Sequence, residues 1–577
     1  MDTRKEAGFA LFSGLLTLLV LVMVIGAVTV IVPVHQRSVE VQGKQALALH
    51  AAESGVFHAL AWLNQYDRDF FERFATEFPY KKSEDQYYSI DGKGRFSIDL
   101  TDDGTLIAYG EYGNHQRVVS IRLSTSDAEG YRLFEECLLY FEGNQPTDDN
   151  FIPPNITVPT PPPPPEKPAR PPKPQLSEYQ DWNGQMVIRN PNQSPDAPPL
   201  KVRIRNGLSL GFQGSLRIEG NVDLYVDGTL SLGSRASIHA TGDLNLYVDG
   251  ALSLGWNSQF SVGGNMHLYT NGALTLNSQA QFSVEGDSFL YVDGAFSLGS
   301  PSQFTVGGDL ELYADGAFST NNGAKLTVAG DATIISGGSF RAVSTSHFSF
   351  HGLKAIISAG DTFTLNNKSQ VYAAGNLQVF SEKGTSLVGG DQIIATGDVT
   401  VVSGGPLSMN NTATINSEGR AQLFVTGNMT LISVAHIFSE EPITLVVHGN
   451  LTMNSGVQIG TRNSPWNELY IFGDLTMNYQ TMLGRMDKPN LVLFMLKPDS
   501  TLTLNTEARI YGGIFAPWTT IVLGWRAAIE GAIIRQRIDA SNEATFIAND
   551  ILLDYSTSSG TGGKSGMLVA QQWELLR

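Results

Sequence analysis

The chain is poor in cysteine and in positive charge, and both shortages exclude classes of protein. Cys137 is the only cysteine among 577 residues, so no internal disulfide and no cysteine-based metal site can form. The 38 lysines and arginines are outnumbered by 56 aspartates and glutamates, which gives a net charge of −18. Because proteins that bind nucleic acids need basic surfaces to neutralise phosphates, we expect no nucleic-acid partner.

What the chain does have is a 22-residue repeat that keeps its register over six turns. Each turn is marked by a Gly-Asp or Gly-Asn pair, whose glycines are Gly220, Gly242, Gly264, Gly286, Gly308 and Gly330. Five residues after each of the first five glycines stands a tyrosine, namely Tyr225, Tyr247, Tyr269, Tyr291 and Tyr313. A fixed period of this size indicates one supersecondary unit stacked many times.

Within each repeat the apolar residues alternate, which is the periodicity of β-strands. Three short strands separated by glycine-rich corners fit one coil of a right-handed parallel β-helix with about 22 residues per coil. The inward-facing columns are then Leu230, Leu252, Leu274, Phe296 and Phe318, and Phe260, Phe282 and Phe304. Weaker repeats continue this pattern, so residues 202–555 could hold roughly 16 coils in a rod about 75 Å long.

The tyrosines are the best candidate for a binding surface. Alternation places them on the outside of the coil, where a strip of aromatic rings could stack on sugars or lie against a surface. Two other interpretations remain open: a ladder of self-stacked rings that stabilises the coil, or a column covered by the linker that precedes the repeats.

Two columns of Asp and Asn also follow the repeat. They are Asp227, Asp249, Asn271, Asp293 and Asp315, and Asn221, Asp243, Asn265, Asp287, Asp309 and Asp331. Each lies beside a glycine at a corner, where such side chains bond to their own backbone. The nonapeptide of calcium-binding β-rolls does not recur. We therefore expect turn chemistry and no metal.

No constellation in the sequence proposes catalysis. Polysaccharide-active β-helices need clustered carboxylates in one groove, and the outward positions of the regular coils are mostly Ser, Thr, Asn and Gln. The less regular segment 340–420 is where a site could be hidden. We expect no enzymatic activity and no cofactor, and a polysaccharide-active enzyme is the weakest alternative.

The N-terminus indicates a membrane segment. Phe9–Val34 is a run of 26 residues without a charge, long enough to span a bilayer as a helix. Arg4 and Lys5 precede it, which favours a cytoplasmic N-terminus. A cleaved secretory signal would have a shorter apolar region. The helical pattern continues to Asn64, so we expect one long helix that is half in the membrane.

This segment resembles the minor pilins of the PilX N-terminal family. Lys5-Glu6-Ala7-Gly8-Phe9-Ala10-Leu11 is similar to a type IV prepilin leader, which implies cleavage between Gly8 and Phe9. The run that contains Ala51, Ala52, Glu53 and Gly55 is similar to the signature of the family's helix. Segments 96–100, 106–112 and 117–123 resemble the antiparallel strands that pack on a pilin helix.

One residue departs from the pattern of pilins. Major pilins have a glutamate at the fifth mature position, where this chain has Ser13. In the family that carboxylate is thought to pair with the terminal amine of a neighbouring subunit, and a serine cannot neutralise a buried ammonium. The resemblance therefore implies a tip, initiating or otherwise rare subunit. A plain signal-anchor helix is the alternative.

A proline-rich segment follows, with twelve prolines in the 22 residues 153–174. We expect a semi-rigid polyproline II strut of up to about 70 Å between the N-terminal module and the rod. A ligand for a proline-recognition domain is the other interpretation. Near the C-terminus, 510–518 and 529–534 resemble the closing coils of β-solenoids found behind pilin-like helices.

The predicted organisation has six parts. They are a leader (1–8), a transmembrane and extended helix (9–64), a small pilin-like α/β module (65–150), a proline-rich linker (151–200), the β-helix (201–556) and a C-terminal tail (557–577). The predicted protein is a structural minor pilin in the inner membrane and then at the cell surface. Its expected partners are other pilin-like subunits, the pilus assembly machinery, the inner membrane and surface polysaccharide. A β-helix scaffold anchored in the envelope outside any fibre is the main alternative.

Overall fold

The structure is a computed structural model. It describes residues 44, 47–48, 51–52, 54–56, 58–59, 78–82, 86–90, 94–100, 105–113, 115–126, 157–192, 198–461, 467–485, 491–531, 533–540, 544–548 and 567–576. The chain forms two compact units, one made of Met1–Glu135 with Leu553–Arg577 and the other of Glu136–Leu552.

The larger unit is a parallel β-solenoid of about 15 turns with about 22 residues per coil. Each coil has three strands, and every strand pairs in parallel with the equivalent strand of the next coil, as Val222–Val226 does with Leu244–Val248. The prediction of a mainly β protein built as a parallel β-helix is confirmed.

The strands lie on three faces of the solenoid. The first face has Gln180–Asp181, Leu200–Ile204, Val222–Val226, Leu244–Val248, Met266–Thr270, Ser288–Val292, Leu310–Ala314, Ala332–Ser336, Lys354–Ala359, Asn376–Ser381, Val399–Ser403, Ala421–Val425, Ile443–Val447, Asn467–Ile471 and Leu491–Met495. The second has Leu208–Leu210, Leu230–Leu232, Leu252–Leu254, Leu274–Leu276, Phe296–Leu298, Phe318–Thr320, Phe340–Val343, Thr362–Asn366, Gly384–Val388, Leu407–Asn410, Met429–Ile432, Leu451–Asn454, Leu475–Met477 and Thr501–Leu504. The third has Val187–Arg189, Ser215–Glu219, Ser237–Ala240, Gln259–Val262, Gln281–Val284, Gln303–Val306, Lys325–Val328, His347–Phe350, Gln370–Ala373, Gln392–Ala395, Thr414–Ser417, His436–Ser439, Gln458–Thr461 and Met482–Leu483.

The last coils are less regular. Arg509–Leu523 runs through all three faces as one continuous strand. Ala528–Gly531, Ile533–Ala540 and Thr545–Ala548 pair beyond it. The solenoid also starts earlier than predicted, because Gln180–Asp181 and Val187–Arg189 already pair with its strands.

One core runs through the solenoid, and the predicted inward columns form it. The side chains of both columns are at most 3% exposed. Phe260 and Phe282 stack with ring centroids 4.9 Å apart, and so do Phe296 and Phe318. Because the coil spacing is close to the stacking distance of aromatic rings, each phenylalanine packs on its equivalent in the next coil.

The smaller unit has a five-stranded sheet and helical residues against it. Its strands are Tyr88–Ile90, Gly94–Leu100, Thr105–Tyr112, His115–Ser126 and Met567–Leu576, in that spatial order and antiparallel. The three strands expected between 96 and 123 are confirmed. The fifth was not expected: ten residues of the predicted tail pair with His115–Ser126.

Candidate functional site: a tyrosine column under a proline strap

The five tyrosines form a column on the outside of the main core, and we call them the tyrosine column. They are paired in register from coil to coil, and their ring centroids lie 5.1, 4.4, 5.7 and 6.5 Å apart in chain order. Their side chains are nevertheless only 0 to 8% exposed. The interpretation as an exposed aromatic strip is therefore wrong, and the two alternatives, stacked rings and a column covered by the linker, agree with the structure. Alternation did place the rings outside the core, and another part of the chain then covers them.

The covering segment is proline-rich and comprises residues 157–179, which we call the proline strap. In its polyproline stretch, half-buried prolines recur at every third position: Pro159, Pro162, Pro165, Pro168, Pro171 and Pro174. Polyproline II has three residues per turn, so this period means that one face of the helix is turned away from solvent. These residues were predicted as a free-standing strut between the N-terminal module and the rod. That role is wrong for the strap, because it packs along the rod.

Three basic residues of the strap, Lys167, Arg170 and Lys173, also stand at every third position and reach the rod. The Lys173 ammonium lies 2.8 Å from a carboxylate oxygen of Asp249 and 5.5 Å from the ring centroid of Tyr225. The hydroxyl of Tyr225 donates to the same carboxylate at 3.0 Å. The carboxylate of Asp249 thus binds both the strap and the column.

Arg170 repeats this arrangement farther along the strap. Its guanidinium lies 2.8 Å from Asp293 and 5.4 Å from the ring centroid of Tyr269. The Tyr269 hydroxyl accepts a hydrogen bond from Arg170 and lies 2.7 Å from Oδ1 of Asn271 and 2.9 Å from Asp293. Lys167 completes the series with an ion pair to Asp315.

The C-terminal end of the strap is fixed by apolar and ionic contacts. Leu176 and Tyr179 pack against the tyrosine column, and the ring of Tyr179 meets that of Tyr225 edge-on at 6.2 Å. Glu178 forms an ion pair with Lys201 on the first face. Burial raises the pKa of Tyr179 to about 12, which keeps its hydroxyl neutral at physiological pH.

The electrostatics of the site hold the ion pairs in their charged forms. The hydrogen bond to Lys173 holds the pKa of Asp249 below its ordinary value, and the same bond raises the pKa of Lys173. Burial raises the pKa of Tyr269 and of Tyr313. The column is therefore a neutral aromatic surface edged by carboxylates, an arrangement that attracts cations both to the carboxylates and to the ring faces.

The partners of the strap come from one of the two predicted Asp/Asn columns, which we call the acidic column. It consists of Asp227, Asp249, Asn271, Asp293 and Asp315. Sequence reasoning assigned these residues to turns. Four of them contact the strap instead, and Asp227 pairs with Arg203 of the rod itself.

The other column is a hydrogen-bond ladder between coils. We call Asn221, Asp243, Asn265, Asp287, Asp309 and Asp331 the Asx ladder. The Oδ1 of each accepts from the backbone N–H of its equivalent in the next coil, at 2.7 to 3.0 Å. The side chains were expected to bond their own backbone, so the partner was wrongly predicted. Among the described residues no group of three or more His, Cys, Asp and Glu side chains could hold a metal ion.

The glycines of the repeat serve this ladder. A Cβ added to Gly286 would lie 2.3 Å from Oδ1 of Asn265, and one added to Gly308 would lie 2.1 Å from Oδ1 of Asp287. The repeated glycine is therefore needed for the close approach of the previous coil's side chain.

The segment 340–420, proposed above as a possible hidden site, contains one fully buried carboxylate. Asp391 accepts hydrogen bonds from the backbone N–H groups of Val388, at 2.7 Å, and Ser369, at 2.8 Å. Burial raises its pKa to about 6. The hydrogen bond from Ser369 joins one coil to the previous one, so Asp391 has a structural role between coils.

Most of the predicted leader and pilin residues lie outside the described residues. These are the apolar run 9–34 and Gly8, Phe9, Ser13 and Glu53. Ala51, Ala52 and Gly55 are described and helical, and all three are buried. A Cβ on Gly110 of the sheet would lie 2.2 Å from the backbone nitrogen of Ala52. Small residues on both sides thus let the helical segment and the sheet approach closely. None of the described helical residues belongs to a helix long and apolar enough to span a membrane.

Fold and site together define a parallel β-solenoid whose outer tyrosine column is covered by a segment of the same chain. Two family models match parts of it: residues 200–432 are similar to a discoidin-inducing complex subunit, and residues 436–554 to a domain of unknown function, DUF7305. No match was found among curated proteins or among solved structures.

Sequence reasoning named the linker as one possible cover of the tyrosines but did not predict the ion pairs that hold it, although both halves of that signal were present. Basic residues at every third position of a proline-rich segment indicate a charged edge on a polyproline II helix. Carboxylates at every 22nd residue of a solenoid indicate a charged edge on the rod. The two edges have opposite sign. From Lys173 to Arg170 the strap advances by three residues, about 9 Å, and their partners Asp249 and Asp293 are two coils, about 10 Å, apart.

Proposed function

We propose that the protein is a non-catalytic, pilin-like component of a type IV pilus or related appendage, inserted in the inner membrane and then displayed at the cell surface. Its solenoid would be a rigid shaft that presents a surface for adhesion or contributes to assembly at the tip. The observation that carries the proposal is the single uninterrupted core of the solenoid, which runs from Ile188 to Ile529.

Mechanical continuity supports a shaft. Every coil pairs in parallel with the next, and the Asx ladder adds one side-chain hydrogen bond at each coil junction between Asn221 and Lys354. Because the stability of a solenoid is a sum over its repeats and the interfaces between neighbours, each of these bonds adds to the stability of the rod. The strap adds contacts that cross several coils at once.

The proposed insertion into a pilus rests on the sequence resemblance at Gly8, Phe9 and the helix signature. The closely packed Ala52 and Gly110 backbones agree with a helix that lies on an antiparallel sheet. Ser13 in place of the usual glutamate favours a rare or terminal position in a fibre.

The experiment is performed on the full chain in its native cells. The mature N-terminus is read by mass spectrometry, and sheared appendages are probed for the protein. We expect Phe9 as the mature N-terminus and enrichment in the appendage fraction. An N-terminus at Met1 would contradict processing. Processed protein that stays entirely with the cell envelope would contradict incorporation and support a static scaffold.

A matched variant separates processing from folding. Gly8→Ala is expected to block cleavage. Gly26→Ala, which lies within the apolar run 9–34 and away from the cleavage site, is expected to leave cleavage unchanged. If both variants are processed equally, the assignment of the leader is wrong.

A further inference from the structure

The strap contacts the rod as a ligand contacts a binding site. Its cations lie over the rings of Tyr225, Tyr269 and Tyr291 at 5.5, 5.4 and 4.9 Å from the ring centroids. Aromatic grooves that bind proline-rich peptides use the same elements, namely flat rings for the proline face and charges for the flanking basic residues.

The acidic column, which consists of four aspartates and Asn271, is confined to the first coils, where the strap lies. The position after Asp315 in the column is Gly337, followed by Gly360, and a single acidic residue, Glu382, comes only in the coil after that. The Asx ladder, by contrast, is interrupted at Lys354 and resumes with Asn376, whose Oδ1 accepts from a backbone N–H of the next coil at 2.8 Å. The solenoid can therefore form its corners without carboxylates at the acidic position, and the repeated aspartates coincide with the strap.

We propose that the tyrosine and acidic columns form a binding groove for a proline-rich peptide in the polyproline II conformation with a basic residue at every third position. The strap is its resident occupant, and the ligand in trans is the strap of a second copy of this chain. The groove recognises two features: the proline face, and the spacing of the three cations that meet Asp249, Asp293 and Asp315.

Exchange is physically reasonable because the strap carries few backbone bonds to the rod. Prolines have no N–H to donate, so the polyproline stretch is held through side chains and ring faces. Polyproline II is also pre-formed in solution, so a strap from another copy loses little conformational entropy on binding.

The test uses the full chain with Lys167→Glu, Arg170→Glu and Lys173→Glu, which places the strap's charges against the acidic column. A fluorescent peptide of residues 157–179 is titrated into this variant and into the unaltered chain. We expect binding to the variant, and at least about tenfold weaker binding to the unaltered chain, whose own strap competes.

Two controls test the recognition. A peptide of the same composition with its three basic residues adjacent should bind at least about tenfold more weakly, since it cannot place all its cations on the acidic column. Adding Asp249→Asn, Asp293→Asn and Asp315→Asn to the variant should weaken binding of the strap peptide by a similar factor.

Three results would overturn the proposal. Equal binding of both peptides would mean simple charge attraction, and no binding of either would mean that the groove does not accept a strap in trans. Nitration of the column tyrosines, compared with the exposed Tyr479, reports whether the variant releases its strap. If the column stays protected in the variant, the cations do not hold the strap and the proposed recognition is wrong.

Discussion

The outward column of the solenoid differs between its first and later coils. In the first coils it is tyrosine, edged by the acidic column and covered by the proline strap. In later coils the same position is occupied by varied residues, of which Ser358, Phe380, Phe424 and Tyr470 are also buried. The residues that take the acidic position there include Gly404 and His448, with Glu382 as an isolated acidic one. The outward position is therefore largely buried in both regions, whereas the aspartates of the acidic column belong to the first coils, where the strap lies.

What the two regions share is the inner core and the ladder between coils. Phe318 in the first region and Phe363 in the second are both fully buried. Asn265 and Asn376 both accept a backbone hydrogen bond from the next coil, at 2.9 and 2.8 Å. Changes to the shared parts should act alike in both regions, and changes to the acidic column should act only under the strap.

The largest effect is expected from the core. Phe318→Ala should lower the free energy of unfolding of its region by about 3 to 5 kcal/mol, because it opens a cavity in a stack of rings. Phe363→Ala should cost the same in the later region. Hydrogen exchange of neighbouring coils measures both, and Phe212→Ala, at a side chain that is 65% exposed, is the control. A negligible effect of either core change would contradict a shared core.

The next effect is specific to the later region and depends on pH. The pKa of Asp391 is raised to about 6, so the folded state binds more protons than the unfolded chain between about pH 4 and pH 6. The stabilisation is thus complete at about pH 4 and is lost as the pH rises through 6. Relative to Asp391→Asn, the unaltered chain should lose about 2 to 3 kcal/mol between pH 4 and pH 7.

Two measurements at pH 4 and pH 7 check this dependence: thermal unfolding of both proteins, and hydrogen exchange of the coils that contain residues 369–391. A pH-independent difference between the two proteins would contradict the raised pKa. The first coils should show no change with Asp391→Asn at either pH, since the residue contacts only its own region.

A smaller effect is expected where a glycine allows a side chain of the Asx ladder to lie close to the backbone of the next coil. Gly286→Ala should cost about 2 kcal/mol, because its Cβ would lie 2.3 Å from Oδ1 of Asn265 and the backbone would have to move. Gly397→Ala, 2.3 Å from Oδ1 of Asn376, should cost a similar amount. Gly211→Ala meets no atom within 4 Å and is the control. Equal stability of all three variants would exclude the close-approach role.

The smallest effect separates the ladder from a metal site. Asp287→Ala removes the acceptor of the N–H of Asp309 and should cost about 1 kcal/mol. Asp287→Asn keeps the Oδ1 acceptor and should be close to neutral. Denaturant titration of the three proteins, with and without calcium, compares them. A large loss with Asn, together with stabilisation by calcium, would reverse the assignment to a ladder.

Sequence periodicity was enough to predict the solenoid because each coil packs its core residues only against the coils before and after it in the sequence. Leu230 and Phe260 face inward for reasons contained in their own strands, and the repeat then stacks them. The strap and the fifth strand of the smaller sheet depend on contacts between segments far apart in the chain. Lys173 and Asp249 are 76 residues apart, and the periodicity of either segment alone does not predict that the two residues are in contact. The complementary charge of the two edges was the available signal.

The cover that the proline strap provides over the tyrosine column can be measured directly. The quantity is the rate of nitration of each tyrosine in the unaltered, folded chain, read by peptide mass spectrometry. Tyr479 is 54% exposed and is the internal reference, whereas Tyr225, Tyr269 and Tyr313 are at most 6% exposed. We predict that the column tyrosines react far more slowly than Tyr479. Nitration of the column at the rate of Tyr479 would show that the strap does not cover it.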